Sequence, residues 1–164
     1  MIIEYHRPEK IEEALALLAR AEPTTLPLGG GTVLNQPSRE SRAVVDLQSL
    51  NLNTIEINNQ ELTLGATVTL QELLKVSDLP LALAKAIRHE AAYNLRHMST
   101  IAGTLVAADG RSPFATAMLA LSAQILILGE ERGDEQVALG EFYPLRSEKL
   151  SHRLITKVTI PKVI

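Results

Sequence analysis

The sequence predicts an α+β fold in two lobes that meet near residue 52. In the first fifty residues, apolar strand-like runs alternate with one helical pattern and one glycine-rich turn, which is typical of a small parallel sheet. The remaining residues contain paired short strands and several helices, which indicate a mixed arrangement. We therefore expect a small α/β lobe at residues 1–52 and a larger α+β lobe at residues 53–164.

The small lobe is predicted to have the order β-α-β-turn-β. Ile2–His6 has the composition of a strand, and residues 8–22 carry apolar side chains at helical spacing. Thr24–Leu28 is predicted as a strand that leads into the glycines. Any helix after the glycines ends by about Gln36, because a proline follows. Ala43–Leu47 is predicted as a buried strand.

The larger lobe is predicted to begin with a hairpin. Its two strands are Leu52–Ile57 and Leu62–Ala66. Thr69 is a suitable N-cap for a helix over Leu70–Val76, since Glu72 completes a capping box. The apolar side chains of residues 93–99 show no clear helical or strand period, so this segment is predicted as a loop. We expect two further helices, Leu81–Ala91 and Phe114–Leu121. We also expect three further strands: Gln124–Leu128, Gln136–Leu139 and Leu154–Ile160.

Composition excludes several classes of function. A net charge of −3, no basic stripe and five aromatic residues argue against nucleic-acid binding. No apolar run is long enough to cross a bilayer, so no membrane contact is expected. The first residues lack the basic flank and apolar core of a signal peptide, which predicts a cytoplasmic location. The chain contains no cysteine, which excludes disulfides and thiolate-held iron–sulfur clusters within it.

Side-chain catalysis has no good candidate in the sequence. The four histidines lack the spacing of a metal site, and no Gly-x-Ser-x-Gly motif is present. Gly29 and Gly31 match the first part of a dinucleotide fingerprint, but Leu34 occupies its third glycine position. An NAD(P) site with Asp46 on the ribose is therefore only a distant alternative, because Pro37 leaves too short a helix. We predict neither catalytic side chains nor a metal site.

Two segments of small residues remain, and both are predicted as loops: Gly29–Leu34 in the first lobe and Thr100–Thr104 in the second. Each offers backbone N–H donors with little side-chain bulk. Two such segments facing one cleft would suit a diphosphate, and a nucleotide cofactor is the natural ligand of that arrangement.

Motifs along the whole chain resemble those of one family. Glu4–Pro8 and Glu12–Leu18 look like its opening strand and helix, and Gly29–Leu34 looks like its first flavin motif, usually Ala-Gly-Gly-Thr-Asp-Leu. Short motifs similar to those of the family also occur at Val45–Leu47, Leu64–Thr67 and Leu154–Pro161. The chain thus resembles the FAD-binding medium subunit of molybdenum hydroxylases such as carbon monoxide dehydrogenase and xanthine dehydrogenase. Their domain has the PCMH-type, vanillyl-alcohol-oxidase-like fold.

The second flavin motif of that family, approximately Gly-Thr-Ile-Gly-Gly-Asn, is similar to Ser99–Thr104. Ala102 and Thr104 depart from it. Downstream, Asp109 matches a family aspartate, whereas Pro113 replaces a second aspartate that in relatives approaches the flavin. The sequence also ends near the point where relatives continue into a C-terminal domain, so we expect a chain that lacks this domain.

The resemblance implies that FAD lies between the lobes with its diphosphate on the two segments. It implies a chain that is not active alone. Its partners would be a molybdenum-cofactor large subunit and a [2Fe-2S] small subunit, whose electrons the flavin passes to an external acceptor. A flavin-free module that keeps the fold is the alternative. Gly30→Val is expected to abolish FAD uptake and leave the fold intact. The implied cofactor-binding residues are Gly29, Gly30, Gly31, Thr32, Val33, Leu34, Thr100, Ile101, Ala102, Gly103, Thr104 and Asp109.

Overall fold

A computed structural model of the protein describes residues 1–34, 39–130 and 133–162. Within these ranges the chain forms eight strands and eight helices, and Tyr143–Leu145 forms a 3-10 turn. The strands are β1 (Ile2–His6), β2 (Thr25–Leu28), β3 (Arg42–Asp46), β4 (Ile55–Ile57), β5 (Glu61–Gly65), β6 (Gln124–Leu128), β7 (Glu135–Ala138) and β8 (Leu154–Pro161). The helices are α1 (Ile11–Leu18), α2 (Leu70–Leu73), α3 (Leu81–Glu90), α4 (Tyr93–Arg96), α5 (Ile101–Ala107), α6 (Pro113–Ala120), α7 (Leu139–Phe142) and α8 (Arg146–Lys149).

The first sheet is parallel and has the strand order β1-β3-β2. Its central strand β3 is buried along Ala43–Asp46, which explains the nearly continuous apolar run there. Helix α1 contacts this sheet and buries Ala14, Leu15 and Leu18. The carboxyl ends of all three strands lie at one edge, so the glycines after β2 share this edge with Asp46.

The second sheet is antiparallel and has the strand order β4-β5-β8-β6-β7. The closing strand β8 lies in the middle, where Val158 pairs with Leu64 on one side and Ile125 on the other. Helices α3 and α6 pack against each other, and their buried side chains include Ile87, Phe114 and Met118. One continuous hydrophobic core joins these elements to α1.

Most of the predicted elements are present with small changes at their ends. The capping box of α2 is confirmed, because Thr69 Oγ1 accepts from the backbone N–H of Glu72 and the Glu72 carboxylate accepts from that of Thr69. The predicted lobe boundary at residue 52 falls between β3 and β4, and the division into two lobes stays a prediction.

Two predictions of local structure were wrong. Tyr93–Arg96 is a short helix instead of a loop, and Thr100–Thr104, also predicted as a loop, is the start of helix α5. Thr32–Leu34 forms a turn, in agreement with the predicted order β-α-β-turn-β, and the limit set for any helix there, about Gln36, lies outside the described residues. Helices α7 and α8 were not predicted, because a single helical turn is too short to show an apolar period.

Candidate cofactor site

The glycine turn follows β2 at the carboxyl edge of the parallel sheet. Gly31 has a φ of 71°, a left-handed conformation that a side chain would strain. Within the described part of the chain, the backbone N–H groups of Gly29 through Thr32 form no hydrogen bond. The turn therefore presents unpaired donors without side-chain bulk, which is the chemistry that an anion needs.

The glycines also allow two segments of backbone to approach each other closely. A Cβ on Gly30 would lie 1.5 Å from the carbonyl oxygen of Met98, and a Cβ on Gly29 would lie 2.8 Å from Thr100 Oγ1. Both distances are far below a normal contact, and at Gly30 the obstacle is backbone. The expectation that Gly30→Val leaves the fold intact is therefore wrong, because valine at this position would push the turn away from Met98.

The second segment has a different character from the glycine turn. Thr100 is the N-cap of α5, and its hydroxyl oxygen accepts from the N–H of Gly103 at 3.1 Å. The N–H groups of three further residues of the segment also have partners in the chain: Ile101 with Val68 O at 2.8 Å, Ala102 with Ala66 O at 3.2 Å, and Thr104 with Thr100 O at 2.8 Å. The donors expected at residues 101–104 are thus already used within the chain.

Two cavities lie on either side of Gly103, which lines both. The first, of about 240 Å³, is mostly apolar and lies between β2 and the elements α5 and β8. The second, of about 500 Å³, is more polar and lies between the glycine turn and the starts of α5 and α6. We call them the apolar cavity and the polar cavity.

The cavities divide the predicted cofactor-binding residues between them. Gly29, Thr100 and Ala102 line the apolar cavity, whereas Thr32, Val33, Thr104 and Asp109 line the polar one. Ile101 is fully buried in the core. Gly30, Gly31 and Leu34 belong to the turn and line neither cavity. The role of each of these residues in cofactor binding stays a prediction.

The polar cavity contains charged groups that are fixed within the chain. The Asp109 carboxylate accepts from the backbone N–H of Arg111 at 2.9 Å and from its guanidinium at 2.7 Å, which lowers the pKa of Asp109. The Glu90 carboxylate accepts from Ser112 Oγ at 2.8 Å and from the N–H of Phe114 at 3.0 Å. Glu90 therefore holds the N-terminal end of α6 against the end of α3.

Sequence reasoning did not single out Glu90 or Arg153. The Arg153 side chain is only 4% exposed, and its guanidinium donates to Glu135 at 2.9 Å and to Gly133 O at 2.9 Å. A Cβ on Gly129 would lie 2.7 Å from the Arg153 side chain, so a glycine makes room for it. No local spacing indicates this arrangement, because Arg153 lies 18 residues after Glu135, 20 after Gly133 and 24 after Gly129.

Asp46 does not offer a free carboxylate for a ribose. It is 3% exposed and accepts hydrogen bonds from the Tyr5 hydroxyl and from the backbone N–H of Gln48 at 2.9 Å. The carboxylate therefore closes the end of β3 and anchors β1 to it. This arrangement removes the basis of the NAD(P) alternative.

Neither a metal centre nor a membrane span is found in the described ranges. Histidine, aspartate and glutamate residues do not form any group of three that could hold a metal ion there. Among the same residues, none of the helices has the length and apolar character to cross a membrane.

A parallel sheet with a glycine turn at its carboxyl edge, joined through one core to an antiparallel sheet and flanked by two cavities, defines a cofactor-binding α+β domain. The chain belongs to the family described as the FAD binding domain in molybdopterin dehydrogenase, whose pattern matches residues 1–163. FAD is the cofactor of this domain family.

Individual relatives agree with this assignment. The uncharacterized protein YgfM of Escherichia coli K12 is 30% identical over 96% of this chain and 60% of its own length. The carbon monoxide dehydrogenase medium chain of Afipia carboxidovorans is 30% identical over 85% of this chain and 51% of its own. A crystal structure of the cyanide-inactivated Cu,Mo-CO dehydrogenase matches with a TM-score of 0.81 and 25% identity, covering 100% of this chain and 60% of that one.

These comparisons confirm the α+β FAD-binding fold of molybdenum hydroxylase medium subunits that the sequence motifs predicted. The chain spans about 60% of the length of these relatives or less.

Proposed function

We propose that this chain is the flavin-binding part of a molybdenum-containing dehydrogenase or oxidase, and that it passes electrons from iron–sulfur clusters on a partner to an external acceptor. The observation that carries the proposal is the set of unpaired N–H groups from Gly29 to Thr32, which lies beside two cavities. A diphosphate between two ring systems fits this arrangement, because its charge can be met by backbone donors while the rings extend to either side.

The residues present fit FAD at the turn and depart from the family pattern at α5. At the turn, the absence of side chains leaves the donors accessible. At α5, the N–H groups of residues 101–104 are used within the chain, so the diphosphate is held chiefly by the turn. Gly103 lines both cavities and adds no side chain to either.

The chain's own part in the reaction is to bind and orient the cofactor. FAD, when bound, supplies the ability to take up electrons and release them singly or in pairs. The apolar cavity gives one end of the site a mostly apolar lining, and the Asp109–Arg111 ion pair and the Glu90–Ser112 hydrogen bond lie at the other end. None of these groups needs to exchange a proton for this role.

The partners in this proposal are a molybdenum-cofactor large subunit and a [2Fe-2S] small subunit, in the cytoplasm, and the chain alone would not turn over substrate. The medium chain of carbon monoxide dehydrogenase and the beta subunit of caffeine dehydrogenase among the relatives support a multi-subunit setting. The lack of cysteine supports metal centres on other chains.

A module without flavin is the second candidate, and one observation favours it. The N–H groups of Ile101 to Thr104 are all engaged, so four of the five donors expected in the second segment are not available to a diphosphate. In that case the fold would serve only to contact partner subunits.

Titration of the purified chain with FAD, riboflavin and FMN separates the two candidates. Flavin fluorescence and the visible spectrum report binding. We expect FAD to bind at least about tenfold more tightly than riboflavin, because only FAD carries the diphosphate that the turn meets. A chain that takes up no FAD would establish the flavin-free module. Equal affinity for FAD and riboflavin would place the diphosphate away from the turn.

A further inference from the structure

The side chain of Thr100 lies where the two glycine-containing segments meet. Its Oγ1 is 2.8 Å from the position of a Cβ on Gly29 and 2.7 Å from the position of a Cβ on Gly103. One hydroxyl therefore fills the space beside a glycine from each segment. Thr100 is 7% exposed, so its side chain is held in this place by its surroundings.

The backbone around Thr100 is fixed to the antiparallel half of the molecule. Thr100 forms an isolated bridge with Thr69, and the neighbouring Ser99 O accepts from the N–H of Leu70 at 2.9 Å. The Thr100 carbonyl accepts from both the N–H and the hydroxyl of Thr104, at 2.8 and 2.7 Å. The position of its side chain is thus set by α2 and α5, independently of the glycine turn.

The glycine turn has no comparable support of its own. Its N–H groups from Gly29 to Thr32 are unpaired among the described residues, so hydrogen bonds do not hold it in place. Gly29 and Gly30 of the turn lie directly against Thr100 and Met98, which precede and begin α5. A turn without internal support binds an anion well only if a neighbour fixes its shape beforehand.

We propose that Thr100 is a positioning residue for the cofactor: its side chain fixes the glycine turn relative to α5, so that the free N–H groups of the turn face one diphosphate. This inference rests on the proposed function. It assigns Thr100 an indirect role, because its side chain lies against Gly29 of the turn.

Three substitutions at position 100 separate positioning from helix capping. Thr100→Ser keeps the hydroxyl that caps α5, whereas Thr100→Val and Thr100→Ala both remove it. Thr100→Val keeps the volume beside Gly29, and Thr100→Ala removes it. If Thr100 positions the turn, Thr100→Val retains FAD affinity within about threefold, while Thr100→Ala loses about tenfold or more, although both lose the same cap.

A double substitution provides the second test. In Gly103→Ala the new methyl meets only Thr100 Oγ1, at 2.7 Å, so the methyl displaces that side chain and FAD affinity should fall. Thr100→Ala relieves the clash but leaves the turn without support. The double variant should therefore bind FAD no better than Thr100→Ala alone. Gly140→Ala is the matched control, since its Cβ would lie at an ordinary 3.9 Å from Leu119.

The measurements are the FAD dissociation constant by flavin fluorescence and the urea midpoint of the FAD-free chain. Equal loss of FAD affinity in Thr100→Val and Thr100→Ala, matching their equal loss of stability, would overturn the inference and leave Thr100 a helix cap. Recovery of FAD affinity in the double variant above that of Thr100→Ala would also overturn it. Failure of the unsubstituted chain to bind FAD would instead overturn the proposed function.

Discussion

The carbonyl oxygen of Met98 occupies the space in which a side chain on Gly30 would begin. The distance from this oxygen to a Cβ built on Gly30 is 1.5 Å. Met98 follows helix α4, and its own N–H donates to Leu95 O at 3.0 Å, so the carbonyl is part of a hydrogen-bonded segment that cannot easily withdraw. The middle glycine of the turn is therefore required by packing against protein, in addition to any ligand.

The first prediction concerns Gly30→Ala. A methyl group at this position must displace either the turn or the segment after α4, and we expect the free energy of unfolding to fall by about 1–3 kcal/mol. We also expect FAD uptake to fall, because the turn moves. Urea unfolding and flavin fluorescence measure the two effects. Gly110→Ala is the control, since its Cβ would meet nothing within 4 Å. Wild-type stability in Gly30→Ala would show that the close approach is absent in solution.

The second prediction concerns the left-handed conformation of Gly31. Asparagine tolerates positive φ and valine does not, so Gly31→Val should cost about 1–2 kcal/mol more than Gly31→Asn. Gly133 has a similar φ of 68° and lies far from the turn in sequence. The pair Gly133→Val and Gly133→Asn should differ in stability to the same extent, but only the Gly31 pair should differ in FAD affinity. Parallel losses of FAD affinity at both positions would contradict this prediction.

Local chemistry allowed much of the fold to be predicted. The capping box of Thr69 and Glu72 depends on residues within one turn, so the sequence shows it directly. Strand β6 alternates buried and partly buried side chains along its length, and its bounds were predicted without error.

The start of α5 could not be predicted, because its small residues hide the helical period. Thr100 caps the helix as its type allows, but Ala102 and Gly103 give no apolar stripe. The N–H groups of residues 101 and 102 bind carbonyls of residues 68 and 66, which are distant in the sequence. The glycine turn could be recognised as a candidate anion site, because its glycines are adjacent in the sequence. The contact of Gly30 with Met98 joins residues that are distant in the sequence, so it required the folded structure.

The third prediction concerns the dependence of stability on pH through Glu135. Hydrogen bonds from Lys149 and then Arg153 lower the pKa of the Glu135 carboxyl below its ordinary value of 4.5. Because the pKa is lower in the folded chain, this carboxylate stabilises the fold above that value and loses the effect as the pH falls further. The difference in urea midpoint between wild type and Glu135→Gln should therefore narrow between about pH 5 and pH 3.

Glu141→Gln serves as the control for this pH series, because Glu141 is exposed in the first turn of α7. Its difference from wild type should stay small and constant with pH. At pH 7, Glu135→Gln should cost about 1–2 kcal/mol, since the buried Arg153 guanidinium loses a charged partner. A pH-independent difference at position 135 would mean that the carboxylate is not paired in solution.

The fourth prediction concerns Glu90, which links the end of α3 to the start of α6 beside the polar cavity. Its Oε2 accepts from Ser112 Oγ and from the N–H of Phe114. Glu90→Ala removes both bonds and a negative charge at a helix N-terminus, so it should cost about 1–2 kcal/mol. Glu90→Gln retains an acceptor oxygen and should cost less than half as much. Urea unfolding of the two variants measures the difference. Equal losses would mean that the charge, and not the hydrogen bonds, holds α6 in place.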